Sequence, residues 1–224
     1  MSNKTVKTDL FEQFARIGKA LASGKWLQIL EFLAQGERNV EALAQLTGLS
    51  VASTSQHLQQ LRQAGLVSAS KAGLYVFYRL SGDSIVRLLA ALHAVGQEHL
   101  AEVDKLVRLY YESKDGLEPV PAKELMQRVK KGLVTVLDVR PSEEYAAGHI
   151  PGAINMPVSE IRKRLKEIPK NQEIVAYCRG PYCLMAFEAV AQLRKIGRNA
   201  RRLEDGFPEW RSAGLPVEVA EVAH

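Results

Sequence analysis

Ile174-Val175-Ala176-Tyr177-Cys178-Arg179-Gly180-Pro181-Tyr182-Cys183-Leu184 joins an apolar run to a six-residue loop holding both cysteines of the chain. Beyond the loop, helical apolar spacing begins at Leu184, Phe187, Val190, Ala191 and Leu193. A short apolar run followed by a helical pattern reads as a strand, a turn and a helix. Such a turn aims backbone N–H groups and the positive end of the helix at its first residue, a setting that favours a thiolate at Cys178.

Outward from this stretch, strands and helices alternate. Strands are expected at Val134 to Asp138, near Ala153 to Asn155, at Glu173 to Tyr177 and at Ala200 to Leu203. Helices are expected at Ser159 to Lys166, Leu184 to Lys195 and Phe207 to Ala213. Alternation of this kind predicts a parallel α/β sheet covered by helices, with the cysteine loop outside the carboxyl end of a central strand, where open sheets place ligands.

The N-terminal part follows a different rhythm. Apolar positions recur at helical spacing in Leu10, Phe11, Phe14, Ile17, then Trp26, Ile29, Leu30, Leu33, then Val40, Leu43, Ala44. Thr47-Gly48-Leu49-Ser50 reads as a tight turn with Gly48 as helix stop and Ser50 as N-cap of a helix running to about Ala64. Two strand-like runs, Leu66 to Ser70 and Leu74 to Leu80, joined by Lys71-Ala72-Gly73, predict a β-hairpin wing. From Ser84 to Tyr111 one apolar stripe predicts a single helix roughly 40 Å long, which needs a partner surface, most simply its own copy.

The breaker-rich stretch Ser113 to Pro121 separates the two patterns, so the expected organisation is residues 1–113, a linker at 114–121 and a second domain at 122–220. The length of 224 residues suits two domains with a core each. No apolar run is long enough to cross a membrane and the first residues lack a secretion signal, which predicts a cytoplasmic protein with reduced thiols and no membrane partner. The net charge of +5 is spread evenly, but Ala42 to Gly82 contains no Asp or Glu while holding Arg62, Lys71 and Arg79, as a phosphate-facing surface requires.

Within that acid-free stretch, Ser53, Thr54, Gln56, His57 and Gln60 follow Ser50 on the helix as short hydrogen-bonding side chains suited to base edges, while Arg62, Lys71 and Arg79 suit phosphates. His57 is equally suited to helix packing or a phosphate contact. Trp26 to Leu30, Leu43 to Ser50, Ser55 to Val67 and Tyr75 to Leu80 together resemble the winged helix-turn-helix of the ArsR family of bacterial repressors. The resemblance implies a mainly α N-terminal domain, a wing that includes Tyr75, and a homodimer placing two recognition helices about 34 Å apart on a palindromic operator. Many relatives carry a metal-sensing cysteine pair in the third helix; here Glu37 to Leu43 has no thiol, which excludes a soft-metal site there. Asp83, His93, Glu98, His99, Glu102 and Asp104 lie on the long helix either as solvated residues or as parts of a site between two copies.

Leu137-Asp138-Val139-Arg140-Pro141, Gly148-His149-Ile150-Pro151-Gly152, the Cys178 loop and Leu203 to Trp210 resemble, in order, the blocks of a rhodanese domain. The resemblance implies that Cys178 accepts a sulfane sulfur as a persulfide and passes it on. Asp138 and Arg140 read as a buried ion pair near the loop or as catalytic charges, and His149 as part of a structural turn. Active sulfurtransferases commonly have Cys-x-x-Gly-x-Arg; the sixth position here is Cys183, which weakens anion binding unless Arg179 substitutes. A phosphatase use of the fold needs an arginine where Leu184 stands. Cys183 is either a resolving thiol or a small residue filling the arginine's place.

The expectation is a DNA-binding repressor sensing reactive sulfur, such as polysulfide or thiosulfate, through Cys178 and Cys183, with no cofactor and no resident metal. Two alternatives stay open: a sulfurtransferase tethered to a repressor that answers another signal, and a repressor that binds metalloids through the two thiols.

Overall fold

The computed structural model describes residues 3–112 and 119–220. It divides into two compact units between Leu89 and Ala90. The expected boundary at 114–121 falls later in the chain, and residues 114–118 lie outside the described residues.

The first unit contains α1 (Asn3–Leu21), α2 (Gly24–Gln35), β1 (Arg38–Asn39), α3 (Val40–Thr47), α4 (Val51–Gln63), β2 (Val67–Ala72) and β3 (Tyr75–Leu80). Local sequence sets the helix ends. Asn39 caps α3 by accepting from the Ala42 amide at 2.9 Å, and Ser50 caps α4 by accepting from the Ser53 amide at 3.1 Å. Between them Gly48 adopts a left-handed φ of 68°, the conformation that reverses the chain between the two helices. The core gathers Ile29, Leu30 and Leu33 of α2, Leu43 of α3, Leu58 and Leu61 of α4, and Ile85 and Leu89. The strands form an antiparallel sheet in the order β1-β3-β2, and Ala72 pairs with Tyr75, so the wing turns through Gly73-Leu74 rather than through the longer connection expected.

α5 (Asp83–His99) begins in the first unit and ends in the second. The expected single helix is corrected here: Leu100 takes an extended conformation (φ −109°, ψ 105°), α6 (Ala101–Val107) follows, and Arg108–Glu112 form a π-helical turn. Gly96 lowers helix propensity in the turn before the break, and Val103 packs back toward it, its Cγ2 lying 4.0 Å from where a Gly96 Cβ would sit.

The second unit continues with α7 (Ala122–Lys130), β4 (Val134–Asp138), α8 (Ser142–Ala147), β5 (Ile154–Asn155), α9 (Ile161–Arg164, flanked by 3₁₀ turns), β6 (Glu173–Tyr177), α10 (Leu184–Lys195), β7 (Ala200–Arg202) and α11 (Phe207–Ser212). The sheet is parallel in the order β5-β4-β6-β7. The two-residue alternation of strand side chains sorts β6 onto two cores. Ile174 and Ala176 pack with Ala189, Val190 and Leu193 of α10, while Val175 and Tyr177 pack with Phe207 and Trp210. Cys178 keeps the parity of Ile174 and Ala176, so it points into the α10 core.

Candidate functional site

In the first unit the buried positions of α4 are Thr54, Leu58 and Leu61. Thr54 is 0% exposed and its hydroxyl donates to the Ser50 carbonyl at 2.9 Å, so it supports the turn rather than facing a groove. His57 is half-buried and accepts a hydrogen bond from the Trp26 indole at 2.7 Å, with the two rings edge to face. This commits its Nδ1 to packing between α2 and α4. Gln56 and Gln60 are exposed, and Ser50 and Ser53 sit at the helix start with their hydroxyls 2.9 Å apart.

Arg62, Lys71, Tyr75 and Arg79 are all exposed. Arg79 donates across the hairpin to Ser68 at 3.2 Å, which steadies its guanidinium on the wing. Gln59 and Gln63 are exposed as well, although residue type alone did not single them out. The signal was available: both lie opposite the apolar Leu58 and Leu61 at helical spacing.

In the second unit the two cysteines are joined as a disulfide, with Cα atoms 6.1 Å apart, and none of the described cysteines is free. The loop is thus closed in this structure, whereas the compartment reading expects its starting state to be open. Cys178 is 1% exposed, while Cys183 is half-buried and forms the N-cap of α10. The positive end of the helix thus adjoins Cys183, not Cys178 as the reading of the turn expected. Burial follows from strand parity, and the helix begins only after the loop has turned.

Arg179 faces inward. Its Nε and Nη2 reach the Glu144 carboxylate at 3.0 and 2.7 Å, and Glu144 is itself buried on α8. A guanidinium paired in this fork-to-fork manner is neutralised by protein and is not presented to an anionic donor. Glu144 carried no sequence signal beyond its helical position, because its partner lies 35 residues away.

Asp138 and Arg140 form a fully buried pair, with Arg140 Nε at 3.0 and 3.1 Å from the two carboxylate oxygens. Arg140 also donates to the Gly148 carbonyl at 2.7 Å and lies over the Phe207 ring at 4.3 Å. Burial alone lowers the Arg140 pKa, but the hydrogen bonds and charge of Asp138 outweigh it and the net direction is upward. His149 stacks on Tyr145 with ring centres 3.7 Å apart, and its Nδ1 lies 3.0 Å from the Tyr145 carbonyl. Arg140 thus links the end of β4 to α11 through Phe207, and His149 packs on α8 through Tyr145.

Across from the loop, Glu204-Asp205-Gly206 presses against it. Burial pushes the Asp205 carboxyl above its ordinary range, with Arg202 opposing. A Cβ at Gly206 would lie 2.3 Å from the Gly180 nitrogen, so only glycine permits this approach. Among the described residues no group of three or more His, Cys, Asp and Glu gathers as a metal site, and no helix is long and apolar enough to cross a membrane.

The family model for bacterial regulatory proteins of the arsR family matches residues 25–69, and that for rhodanese-like domains matches residues 121–213. Over 219 residues the chain is 49% identical to the HTH-type transcriptional regulator Rv0324 of Mycobacterium tuberculosis, covering 97% of this chain and 96% of that one. The chain belongs to the ArsR-family transcriptional regulators, with a rhodanese-like domain following the winged helix-turn-helix.

Over 89 residues the regulator is 35% identical to a sulfurtransferase of Allochromatium vinosum, covering 39% of this chain and 81% of that one. Among solved structures, the homodimeric winged helix-turn-helix DNA-binding domain from Mycobacterium bovis is 46% identical, with a TM-score of 0.42, covering 46% of this chain and 93% of that one. In this ArsR-family regulator the two matched segments fall on α2 to β2 and on α7 to α11.

Proposed function

We propose that this regulator is a homodimeric, cytoplasmic, DNA-binding repressor that registers reactive sulfur at Cys178 and Cys183. The observation that carries the reading is the pairing of the two sulfurs across Cα atoms 6.1 Å apart, within the span a disulfide bridges. The reduced Cys178 thiolate takes the outer sulfur of a polysulfide and releases the shortened chain as its thiolate. Cys183 then attacks the inner sulfur of the Cys178 persulfide, forming the disulfide and expelling hydrosulfide. Two thiols are oxidised and one sulfane sulfur is reduced to sulfide, so no further oxidant is required. A cellular dithiol resets the loop by the reverse electron flow.

DNA contact falls to Ser50, Ser53, Gln56, Gln59, Gln60 and Gln63 on α4, with Arg62, Lys71, Tyr75 and Arg79 on phosphates or groove walls. The absence of acidic side chains between Ala42 and Gly82 supports this. Dimerisation is supported by the apolar stripe of α1, where Leu10, Phe11 and Phe14 are exposed on the single chain. The pairing of Arg179 with Glu144 weighs against efficient use of thiosulfate, and so against the independent sulfurtransferase.

The test uses a duplex selected from random DNA by the reduced protein. Polysulfide treatment should weaken binding of the wild type and leave Cys178→Ser unchanged, while intact-mass spectrometry shows the loss of two hydrogens only when both cysteines are present. Equal affinities before and after treatment in the wild type would end the sensing reading.

A further inference from the structure

Tyr182 immediately precedes Cys183 in the loop and is held by three residues of the second unit. Its hydroxyl donates to the Gln97 side-chain oxygen at 3.1 Å, and its carbonyl accepts from the Tyr111 hydroxyl at 2.9 Å. Its ring meets His93 edge to face at 5.3 Å and Tyr111 at 5.9 Å, and Tyr111 in turn meets Phe187 of α10 at 5.0 Å. His93 and Gln97 stand one helical turn apart on α5, so one face of that helix supplies both contacts. Tyr111 comes from the π-helical turn after α6.

Two further observations give this grip a direction. Among the described residues the Nδ1 of His93 is buried without a hydrogen-bond partner, so ring packing rather than a polar anchor sets its place. Beside the Tyr182 ring lies a cavity of about 230 Å³, walled by Gln97, Val107, Tyr111, Pro181 and Phe187 among others, which gives the ring room to move. α5 itself carries Ile85, Val86 and Leu89, buried in the first unit, and His93 and Gln97, which touch Tyr182 in the second.

We propose that Tyr182, held by His93, Gln97 and Tyr111, is the positioning residue that turns the linkage state of Cys183 into a shift of α5. The proposal rests on the reading of the loop as a sulfur sensor and names the route by which that loop addresses the DNA-binding unit. Reduction by a dithiol, itself oxidised to a cyclic disulfide, returns two protons and two electrons to the cysteine sulfurs and frees Cys183 from its tether to Cys178. The adjacent peptide then moves, and the aromatic clasp moves with it. A differential contact of this kind is what coupling between two sites requires.

The experiment compares full-length wild type, Tyr182→Ala and the milder Tyr182→Phe and Gln97→Ala, each reduced with dithiothreitol or closed with polysulfide. Hydrogen exchange of residues 90–112 should differ between the two states of the wild type and be equal in Tyr182→Ala, with Tyr182→Phe retaining part of the difference. Wild-type DNA affinity should change by about tenfold between states, and the ratio for Tyr182→Ala should fall to about one while its closure by mass is unaltered. A wild-type ratio retained in all three variants, or exchange in 90–112 that ignores the loop, overturns the clasp. Exchange that responds while DNA affinity does not would support the clasp and sink the sensing reading instead.

Discussion

At Gly206 a single hydrogen atom in place of a side chain sets how closely the Glu204-Asp205-Gly206 segment approaches the cysteine loop. Gly206→Ala places a methyl group 2.3 Å from the Gly180 nitrogen, so the loop must give way. We expect a loss of about 1–3 kcal/mol in denaturant unfolding and slower closure of the disulfide, read by quenched thiol labelling. Asp138→Asn removes one charge of a fully buried pair and should cost about 3–5 kcal/mol, because Arg140 keeps its charge there. The importance of Asp138 and Arg140 could be read from their place at a strand end. The pairing of Arg179 with Glu144 could not, since it joins residues that only the folded sheet brings together.

At the scale of the element, α4 was legible because its punctuation is local. Ser50 begins it and Gly48 reverses the chain before it, and Ser50→Ala should cost about 1 kcal/mol, measured by thermal unfolding. The faces of α4 were less legible. Residue type puts Thr54 on the groove face, yet its short hydroxyl satisfies itself inside and closes the turn, while His57 takes the helix-packing option by meeting Trp26.

The break at Leu100 was hidden for the opposite reason. The apolar stripe carries on across it, and only Gly96 hints at the interruption. The clasp on α5 also has a pH signature. Burial lowers the His93 pKa below 6.5, so the folded state prefers the neutral ring. Its stabilising effect is complete above that value and is lost as pH falls below it. Between pH 7.5 and pH 5.5 the wild type should lose more stability than His93→Gln, and identical pH profiles would count against this account.

For the whole molecule, both fold classes were readable because each depends on a repeating pattern: helical spacing with a turn in one half, alternating strands and helices in the other. The division between Leu89 and Ala90 falls inside α5, a helix that contributes to both units, and no breaker marks it. Helical spacing places Leu10, Phe11 and Phe14 on one side of α1, and all three are exposed in one chain. Phe14→Glu should therefore shift the protein toward monomer in sedimentation equilibrium and weaken DNA binding without lowering helix content.

The depth of Cys178 has a last consequence. With that sulfur on the α10 side of the sheet and Cys183 nearer the surface, the two sulfurs lie at different depths. In the reduced regulator, bulky polymer-linked maleimides should label residue 183 well before 178, while a slender inorganic sulfur chain reaches both. On the proposed sensing reading, steric exclusion would then separate a small sulfur species from larger electrophiles at residue 178.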